Sequence, residues 1–298
     1  MVIVKRCFVV LVLIGLAVGV AARAVAQDNW TRFRGPDATG VVADDARLPD
    51  TWSKEKNVLW KAPIPGWGWG SPIVWGDKVF VSAVHSDNDY EKPKGGLYLG
   101  RGRSVPPDTV HHWMVYCLSL KTGKVLWKHE AHTGKPQISR HPKSTYAAET
   151  PTTDGKRLYV LFGDVGLYCY DFDGKPLWTH KIKAYKTQSD YGAAASPVIQ
   201  GDQVIMVYDN QQASYLLALD SATGKQRWKV PRNETSNWST PFVWKHAGGT
   251  EIVVTGRRKN RSYAPDGSVI WKFDGRMSVL TIPSPFASKG LLYLTSGY

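Results

Sequence analysis

The chain has 298 residues, and its 38 Lys and Arg against 25 Asp and Glu give a formal net charge of +13. This charge favours encounters with anionic surfaces such as polysaccharide, lipid headgroups or acidic proteins. The alternative is a basic surface that is solvated and has no dedicated anionic partner. Nucleic acid is not an expected partner, because no nucleic-acid-binding motif occurs.

The first 26 residues are typical of a signal peptide. Lys5 and Arg6 precede an apolar run over Cys7–Val20, and Ala24-Val25-Ala26 supplies a small-residue cleavage site. The run is short for a membrane span, and Cys7 lies upstream of the cleavage point, so neither a stable span nor a lipid anchor is expected. Export to a bacterial periplasm or beyond is predicted, and cleavage lowers the net charge from +13 to +10.

An N-terminal extension is predicted over residues 27–56, and it opens with the run WTRFRGPDATG. Residues 57–61 (NVLWK) follow and have the pattern of an outermost strand with its own Trp60. Such a strand can pair with a sheet formed by later residues and remove a free sheet edge. We therefore expect the sheet structure to begin at Asn57.

Ser-Pro or Thr-Pro pairs recur along the rest of the chain at intervals of 79, 46, 44 and 44 residues. A period in the forties indicates one supersecondary unit copied along the chain. The pairs are Ser71-Pro72, Thr150-Pro151, Ser196-Pro197, Thr240-Pro241 and Ser284-Pro285.

The third copy, from Ser196 to Val230, shows most clearly what the unit is. Its apolar runs are short, rich in Val, Ile, Leu and Tyr, and bounded by turn residues, which predicts four antiparallel strands, A to D. Pro197 stands where a strand tolerates a missing N–H, and Gly224 can adopt the positive φ of a turn. Copies of such a sheet bury their faces by stacking around an axis, so the fold class is an all-β propeller.

The predicted propeller spans residues 57–298, with four complete blades and part of a fifth. The blades are expected at about 67–130, 146–181, 191–230, 236–273 and 280–298. An eight-bladed ring at this period needs roughly 350–360 residues. The sequence is therefore interpreted as a fragment of a protein longer by about three blades.

Each complete copy ends with a glycine turn followed four residues later by tryptophan. A Trp on the outer strand can lie between neighbouring blades and bury roughly 150–250 Å², or about 4–6 kcal/mol of gross burial energy. These residues are predicted to be structural: Gly123 and Trp127, Gly174 and Trp178, Gly224 and Trp228, Gly267 and Trp271.

The run from Ala218 to Trp228 (ALDSATGKQRW) resembles the tryptophan-docking repeat of the pyrroloquinoline-quinone-type (PQQ-like) propellers. That family includes quinoprotein alcohol dehydrogenase-like enzymes and BamB-like exported proteins. In the two earlier copies, the position equivalent to Ala218 is occupied by Cys117 and Cys169. They should not form a disulfide, because stacked sheets lie about 10 Å apart and the bond needs Cα atoms within roughly 7 Å.

Candidate functional residues collect on the face that carries the D-to-A and B-to-C connections. A long insertion, from about His85 to His112, is interpreted as either functional or disordered, and it includes Arg101 and Arg103. Aromatic and acidic residues precede the A strands near the channel mouth, where they either bind a ligand or partner or plug the mouth and pack the loops. They are Trp67, Trp69, Tyr146, Glu149, Tyr191 and Trp238.

No catalytic or metal-binding residue is predicted. The sequence has no G-x-S-x-G, H-E-x-x-H or phosphate-binding glycine loop. His129, His132 and His141 lie in a basic segment, which disfavours a cation.

Three functions remain open, and the third is the sensor or ligand-binding half of a larger exported enzyme. The first is an exported non-enzymatic scaffold for a protein or an anionic polysaccharide or cell-envelope surface, without a cofactor, as the BamB-like resemblance implies. The second is an oxidoreductase using PQQ and Ca²⁺, as the quinoprotein resemblance implies. The sequence lacks the adjacent cysteine pair of such enzymes, and only Glu149 is considered as a calcium ligand at the mouth.

Overall fold

Short antiparallel strands make up almost all regular structure in the computed structural model, which describes residues 29–46, 48–88, 93–96 and 105–297. The predicted signal peptide and the candidate residues Arg101 and Arg103 lie outside the described residues. Over the described ranges the single helical element is a 3₁₀ turn, η1 (Gln188–Asp190). None of the described residues forms a helix with the length and apolar character that a bilayer crossing requires.

The first repeat is a four-stranded meander with longer strands than the others. It comprises β1 (Ile73–Trp75), β2 (Lys78–Ser86), β3 (His111–Ser119) and β4 (Val125–Gly134). The β2–β3 pairing runs without interruption to Ser86 and His111. The inserted connection is therefore shorter than the sequence suggested, because its two ends continue the sheet.

The next three repeats form the same meander, with each strand hydrogen-bonded to the next along the chain. Blade 2 comprises β5 (Thr152–Thr153), β6 (Arg157–Phe162), β7 (Gly166–Asp171) and β8 (Pro176–Lys181). Blade 3 comprises β9 (Val198–Gln200), β10 (Gln203–Tyr208), β11 (Tyr215–Asp220) and β12 (Gln226–Pro231). Blade 4 comprises β13 (Phe242–His246), β14 (Gly249–Val254), β15 (Asn260–Tyr263) and β16 (Val269–Phe273). A two-stranded sheet follows, with β17 (Phe286–Ser288) and β18 (Leu291–Tyr293).

The hydrophobic core lies between neighbouring blades. One buried cluster joins Phe80 and Trp113 of blade 1 to Leu158 of blade 2. The next clusters repeat the arrangement between blades 2 and 3 and between blades 3 and 4. Because each sheet buries its faces against the sheets beside it, the predicted β-propeller architecture is confirmed.

The outer-strand tryptophans lie across the glycine turns of the following blade. An added Cβ at Gly224, where φ is +70°, would come within 2.6 Å of the Trp178 ring. The indole Nε1–H of Trp178 donates to the Ser221 carbonyl at 3.1 Å. Trp127 packs on Gly174 and Trp228 on Gly267 in the same way, with indole bonds of 3.0 and 2.9 Å.

Trp60 takes part in this series although residues 57–61 form no strand, contrary to the sequence-based interpretation. Its ring covers Gly123, and its Nε1–H donates to the Leu120 carbonyl at 2.8 Å. Trp271 departs from the series, because its Nε1–H donates instead to Glu251 Oε2 of its own blade at 2.7 Å. Trp60 thus reproduces the docking contact of an outer strand without belonging to a sheet.

The Ser-Pro and Thr-Pro pairs connect the blades at the hub through hydrogen bonds. The backbone N–H of Ser71 donates to Thr150 Oγ1 at 2.9 Å, and the N–H of Thr150 donates to Ser196 Oγ at 2.9 Å. The N–H groups of Ser196 and Thr240 continue the chain to Thr240 and Ser284, each at 3.0 Å. We call this series the hub hydroxyl chain.

The N-terminal extension belongs to the hub as well. Trp30 pairs with Val74 of β1 through two backbone hydrogen bonds of 3.0 and 2.8 Å. The Thr31 carbonyl accepts the N–H of Thr153 from β5 at 3.0 Å. The segment 29–40 therefore crosses the inner strands of the first two blades.

Candidate functional site

Two buried carboxylic acids lie among the loops of the predicted mouth face. Glu149 Oε1 accepts the N–H of Gly163 at 3.0 Å, while Asp164 Oδ2 has no hydrogen-bond partner among the described residues. Burial raises the pKa of Glu149 to about 8 and that of Asp164 to about 7. Near neutral pH a large fraction of each carboxyl group is therefore protonated. A neutral carboxyl group suits a buried position better than it suits cation binding.

A buried ion pair holds blades 3 and 4 together on the same face. Arg232 Nε and Nη2 donate to the two carboxylate oxygens of Asp209 at 2.9 and 3.0 Å. Arg232 Nη1 donates to the Tyr263 hydroxyl at 2.7 Å. Burial alone would lower the pKa of Arg232, but the Asp209 charge outweighs it and raises the pKa. The pair stays ionised and fixes the ends of β10 and β12.

Glu234 makes a similar connection from the same loop after β12. Its carboxylate accepts the backbone N–H groups of Arg258 and Lys259 at 2.8 and 3.0 Å and is bonded to the Arg261 guanidinium. A carboxylate that accepts several N–H bonds is fully engaged. Glu234 therefore ties the loop after β12 to the loop between β14 and β15.

The candidate aromatic residues of this face are mainly engaged in packing. The hydroxyl of buried Tyr146 donates to the Ile138 carbonyl at 3.0 Å, and Trp238 Nε1–H donates to the Gly192 carbonyl at 2.7 Å. The Tyr191 ring lies 6.0 Å from that of Trp238. The backbone of Trp67 pairs with Val84. These contacts support the interpretation that the aromatics pack the loops.

Trp69 differs from the other candidate aromatics because it is 53% exposed. Its Nε1–H donates to the Lys143 carbonyl at 2.5 Å, which fixes the ring against the loop before blade 2. An indole held in this way presents apolar area to solvent at little cost in conformational entropy. Among the described candidates, Trp69 is the residue best placed to contact a partner.

A row of exposed basic residues accompanies this face and was not singled out by the sequence. Lys183 and Lys186 follow β8, and Arg257 and Arg258 lie between β14 and β15. Over the described ranges none of the four forms an ion pair with a carboxylate. We call these four residues the basic rim. The basic rim forms because the fold places loops of separate blades on the same face.

The loops that carry the basic rim are connected to one another by hydrogen bonds. The Lys186 carbonyl accepts the N–H of Gln211 at 3.0 Å, and Ser236 Oγ accepts the N–H of Gln188 at 2.8 Å. Glu234 then bonds the N–H of Arg258, as described above. The rim is therefore a continuous arc across blades 2 to 4.

Histidines of blade 1 form a small polar cluster at the root of the insertion. His112 bonds to Glu130 at 2.6 Å and to Asp87 at 2.8 Å, and its ring stacks on His85 at 4.8 Å. The hydrogen bond with Glu130 raises the pKa of His112. No described group of three or more His, Cys, Asp or Glu residues has the arrangement of a metal site.

The two cavities beside Glu149 on the described mouth face are small. Each holds about 10 Å³, which is at most the space of one water molecule. Cys117 and Cys169 are buried in separate blades and unpaired with each other. Neither cavity is large enough for a ring-bearing cofactor.

The family model described as outer membrane protein assembly factor BamB matches residues 111–237 and 212–297. No curated protein matches the sequence. BamB from Moraxella catarrhalis is similar in structure, with 15% identity, a TM-score of 0.47, and coverage of 80% of this chain and 72% of that one.

Two solved dehydrogenase structures show comparable similarity. A europium-containing methanol dehydrogenase has 13% identity and a TM-score of 0.44, with 70% of this chain and 43% of that chain covered. Quinohemoprotein alcohol dehydrogenase from Comamonas testosteroni has 15% identity and a TM-score of 0.42, with 70% and 35% covered. The chain thus spans less than half the length of these two enzymes.

Proposed function

Because the chain belongs to the family described as outer membrane protein assembly factor BamB, we propose that it is an exported, non-enzymatic β-propeller that binds a protein partner. The observation that carries the proposal is the basic rim: four exposed cations without carboxylate partners among the described residues, on loops that are fixed to one another. The binding surface comprises the basic rim with the exposed indole of Trp69.

The rigidity of the loops favours recognition rather than turnover. The Arg232–Asp209 pair and the bonds of Glu234 already order the segments that carry the rim. A surface ordered before binding avoids much of the entropic cost of association. The buried acids Asp209 and Glu234 are committed to these contacts.

The charge of the rim defines the expected partner. Exposed unpaired cations accelerate encounter with an acidic surface and select against basic ones. The proposed partner is therefore a protein with an acidic patch, met outside the cytoplasm if the predicted signal peptide at residues 1–26 is used. The family description concerns protein assembly, and no observation supports a polysaccharide.

Charge reversal on the two faces of the propeller tests this proposal. The variant Lys183→Glu/Lys186→Glu changes the rim, and Lys175→Glu/Lys225→Glu makes the same change in exposed turns of the opposite face. Cross-linking and mass spectrometry of cell-envelope extracts should show at least a tenfold loss of partner recovery for the rim variant only. Equal recovery from both variants would contradict the proposal.

An enzymatic assay provides an independent check. The oxidoreductase alternative predicts dye-linked alcohol or sugar oxidation that depends on both added PQQ and Ca²⁺. Under the scaffold proposal, the chain gives no turnover above a buffer control under those conditions. Turnover that requires both additions would reject the scaffold.

A further inference from the structure

A larger cavity opens at the hub on the opposite face, where the A-to-B turns lie. Its volume is about 550 Å³, which falls within the range of small-molecule sites, roughly 300–1,000 Å³. The N-terminal segment, the inner strand β13 and the β17–β18 turn form its walls. The residues that matter for its chemistry are Arg32, Asp37, Trp244, Lys245, His246 and Lys289.

The cavity borders a turn that lacks the inter-blade contact present between blades 1 and 2. Between blades 1 and 2, the ring of Trp75 covers the turn glycine Gly155, and an added Cβ there would lie 2.6 Å from the ring. Trp244 occupies the same place in blade 4 as Trp75 does in blade 1, four residues after the Thr or Ser of the Pro pair. The turn glycine of the next sheet, Gly290, has nothing within 4 Å of its added Cβ.

Positive charge predominates around the cavity. Its lining includes three cationic side chains, Arg32, Lys245 and Lys289, and one carboxylate, that of Asp37. Over the described ranges, Lys245 and Lys289 form no ion pair. His246 is already engaged, since its Nε2 lies 3.0 Å from Glu251 Oε1. The lining therefore carries an excess of cationic groups that a bound anion would neutralise.

Arg32 is the most enclosed of these cations. Its Nε and Nη2 donate to the Pro36 carbonyl at 3.0 and 2.6 Å, while Nη1 donates to none of the described residues. Burial lowers the pKa of Arg32, and the nearby charge of Asp37 acts against that effect. A partly buried guanidinium with an unused donor favours a carboxylate or phosphate.

An aromatic surface adjoins the cations. The rings of Trp244 and His246 lie 4.2 Å apart, and Trp244 is only partly buried. Its indole N–H makes no hydrogen bond among the described residues, unlike that of Trp228. A ring-bearing ligand could therefore gain both apolar contact and a donor at this wall.

We propose that the hub cavity binds a small organic anion, with its carboxylate or phosphate against Arg32, Lys245 and Lys289 and its ring on Trp244. This site lies on the other side of the propeller from the basic rim. It is independent of the protein-binding role.

Three naphthalene probes test the site by calorimetric titration of the intact chain. They are 1-naphthoate, 1-naphthyl phosphate and the neutral 1-naphthalenemethanol. At least one anion should bind at a single site at least tenfold more tightly than the alcohol, and the tighter of the two identifies the preferred group. The Trp244→Leu variant should weaken all three.

Matched charge variants separate this site from general attraction. Lys245→Gln/Lys289→Gln should weaken anion binding at least tenfold, whereas Lys175→Gln/Lys225→Gln, in the outer turns of the same face, should leave it unchanged. All four lysines are exposed, so both variants should fold, and their melting temperatures verify this. Equal binding of the alcohol and the anions, no anion binding, or equal effects of the two charge variants would overturn the proposal.

Discussion

At the scale of single residues, the propeller depends on glycines that face indoles. Gly123, Gly174, Gly224 and Gly267 all have positive φ, and a tryptophan ring of the preceding segment lies against each. A glycine satisfies two requirements here, because it adopts the left-handed turn and leaves space for the ring. The spacing of Gly and Trp in the sequence was sufficient to predict structural roles for these residues.

The cost of losing that space can be separated from the cost of the backbone conformation. Gly224 and Gly201 have φ of +70° and +58°, but only Gly224 has a ring against its added Cβ. Gly201→Ala should cost about 1 kcal/mol through backbone strain alone. Gly224→Ala should cost roughly 2–4 kcal/mol, because the methyl group also displaces Trp178.

Urea unfolding followed by tryptophan fluorescence measures both variants. Equal midpoints for the two would show that the indole contact contributes nothing. Because both variants change Gly to Ala, their effects on the conformational entropy of the unfolded chain should cancel in the comparison.

Glu149 should make the stability of the chain depend on pH. Its pKa is raised from an ordinary 4.5 to about 8, so between these values the folded state keeps a proton that the unfolded state releases. Stability is therefore fully present below pH 4.5, falls as pH rises towards 8, and levels off above it. The raised pKa of Asp164 acts in the same direction.

Glu149→Gln should raise the free energy of unfolding at pH 8.5 by roughly 2–4 kcal/mol and reduce its fall between pH 5 and 8.5. Asp190→Asn, on the same face but outside the buried pair, serves as the control. Urea titrations at the two pH values measure the effect. An unchanged pH profile in Glu149→Gln would refute this assignment.

At the scale of elements, the hub hydroxyl chain explains why the repeat carries Ser or Thr before Pro. The hydroxyl of each pair accepts the N–H of the equivalent residue one blade earlier, over separations of 79, 46, 44 and 44 residues. The sequence showed the recurrence of these pairs but not their mutual bonding, because the partner of each hydroxyl belongs to another blade.

Ser196→Ala tests this chain directly. The substitution leaves the buried N–H of Thr150 without its acceptor, which should cost roughly 1–3 kcal/mol. Ser196→Thr keeps the hydroxyl and matches the residue found at positions 150 and 240, so it should cost less than about 1 kcal/mol.

Amide hydrogen exchange gives the specific readout. The Thr150 N–H should exchange faster in Ser196→Ala and remain protected in Ser196→Thr. Equal protection in the two variants would show that the bond to Ser196 Oγ is dispensable.

At the scale of the whole molecule, stability should follow position along the row of blades. The buried clusters join each blade only to its neighbours, so the energetics resemble those of a one-dimensional repeat array. Strands β10 and β11 of blade 3 have buried faces on both sides, whereas Leu291 in β18 is 60% exposed.

Native-state hydrogen exchange should therefore rank the strands. The amides of β10 and β11 should exchange most slowly, and those of β17 and β18 by local opening at least a hundredfold faster. A single opening free energy shared by all the sheets would contradict this expectation and indicate one cooperative unit.

The sequence by itself determined the all-β class, the four-stranded unit and the glycine–tryptophan positions, because turn residues and strand periodicity are local signals repeated at one period. The sequence also indicated that the mouth aromatics could pack the loops. It placed His85 and His112 at the ends of a loop, whereas β2 and β3 extend through them, since pairing between strands outweighs local polarity.

Only the tertiary structure decided which distant residues meet. The basic rim joins loops of blades 2 to 4, the buried Glu149 contacts the turn at Gly163, and Arg32 and Lys245 line the same hub cavity. A residue pattern records that a side chain is buried or charged, but its partner is set by how the blades stack. The proposed recognition surfaces therefore arise from the packing between repeats, while each repeat is specified locally.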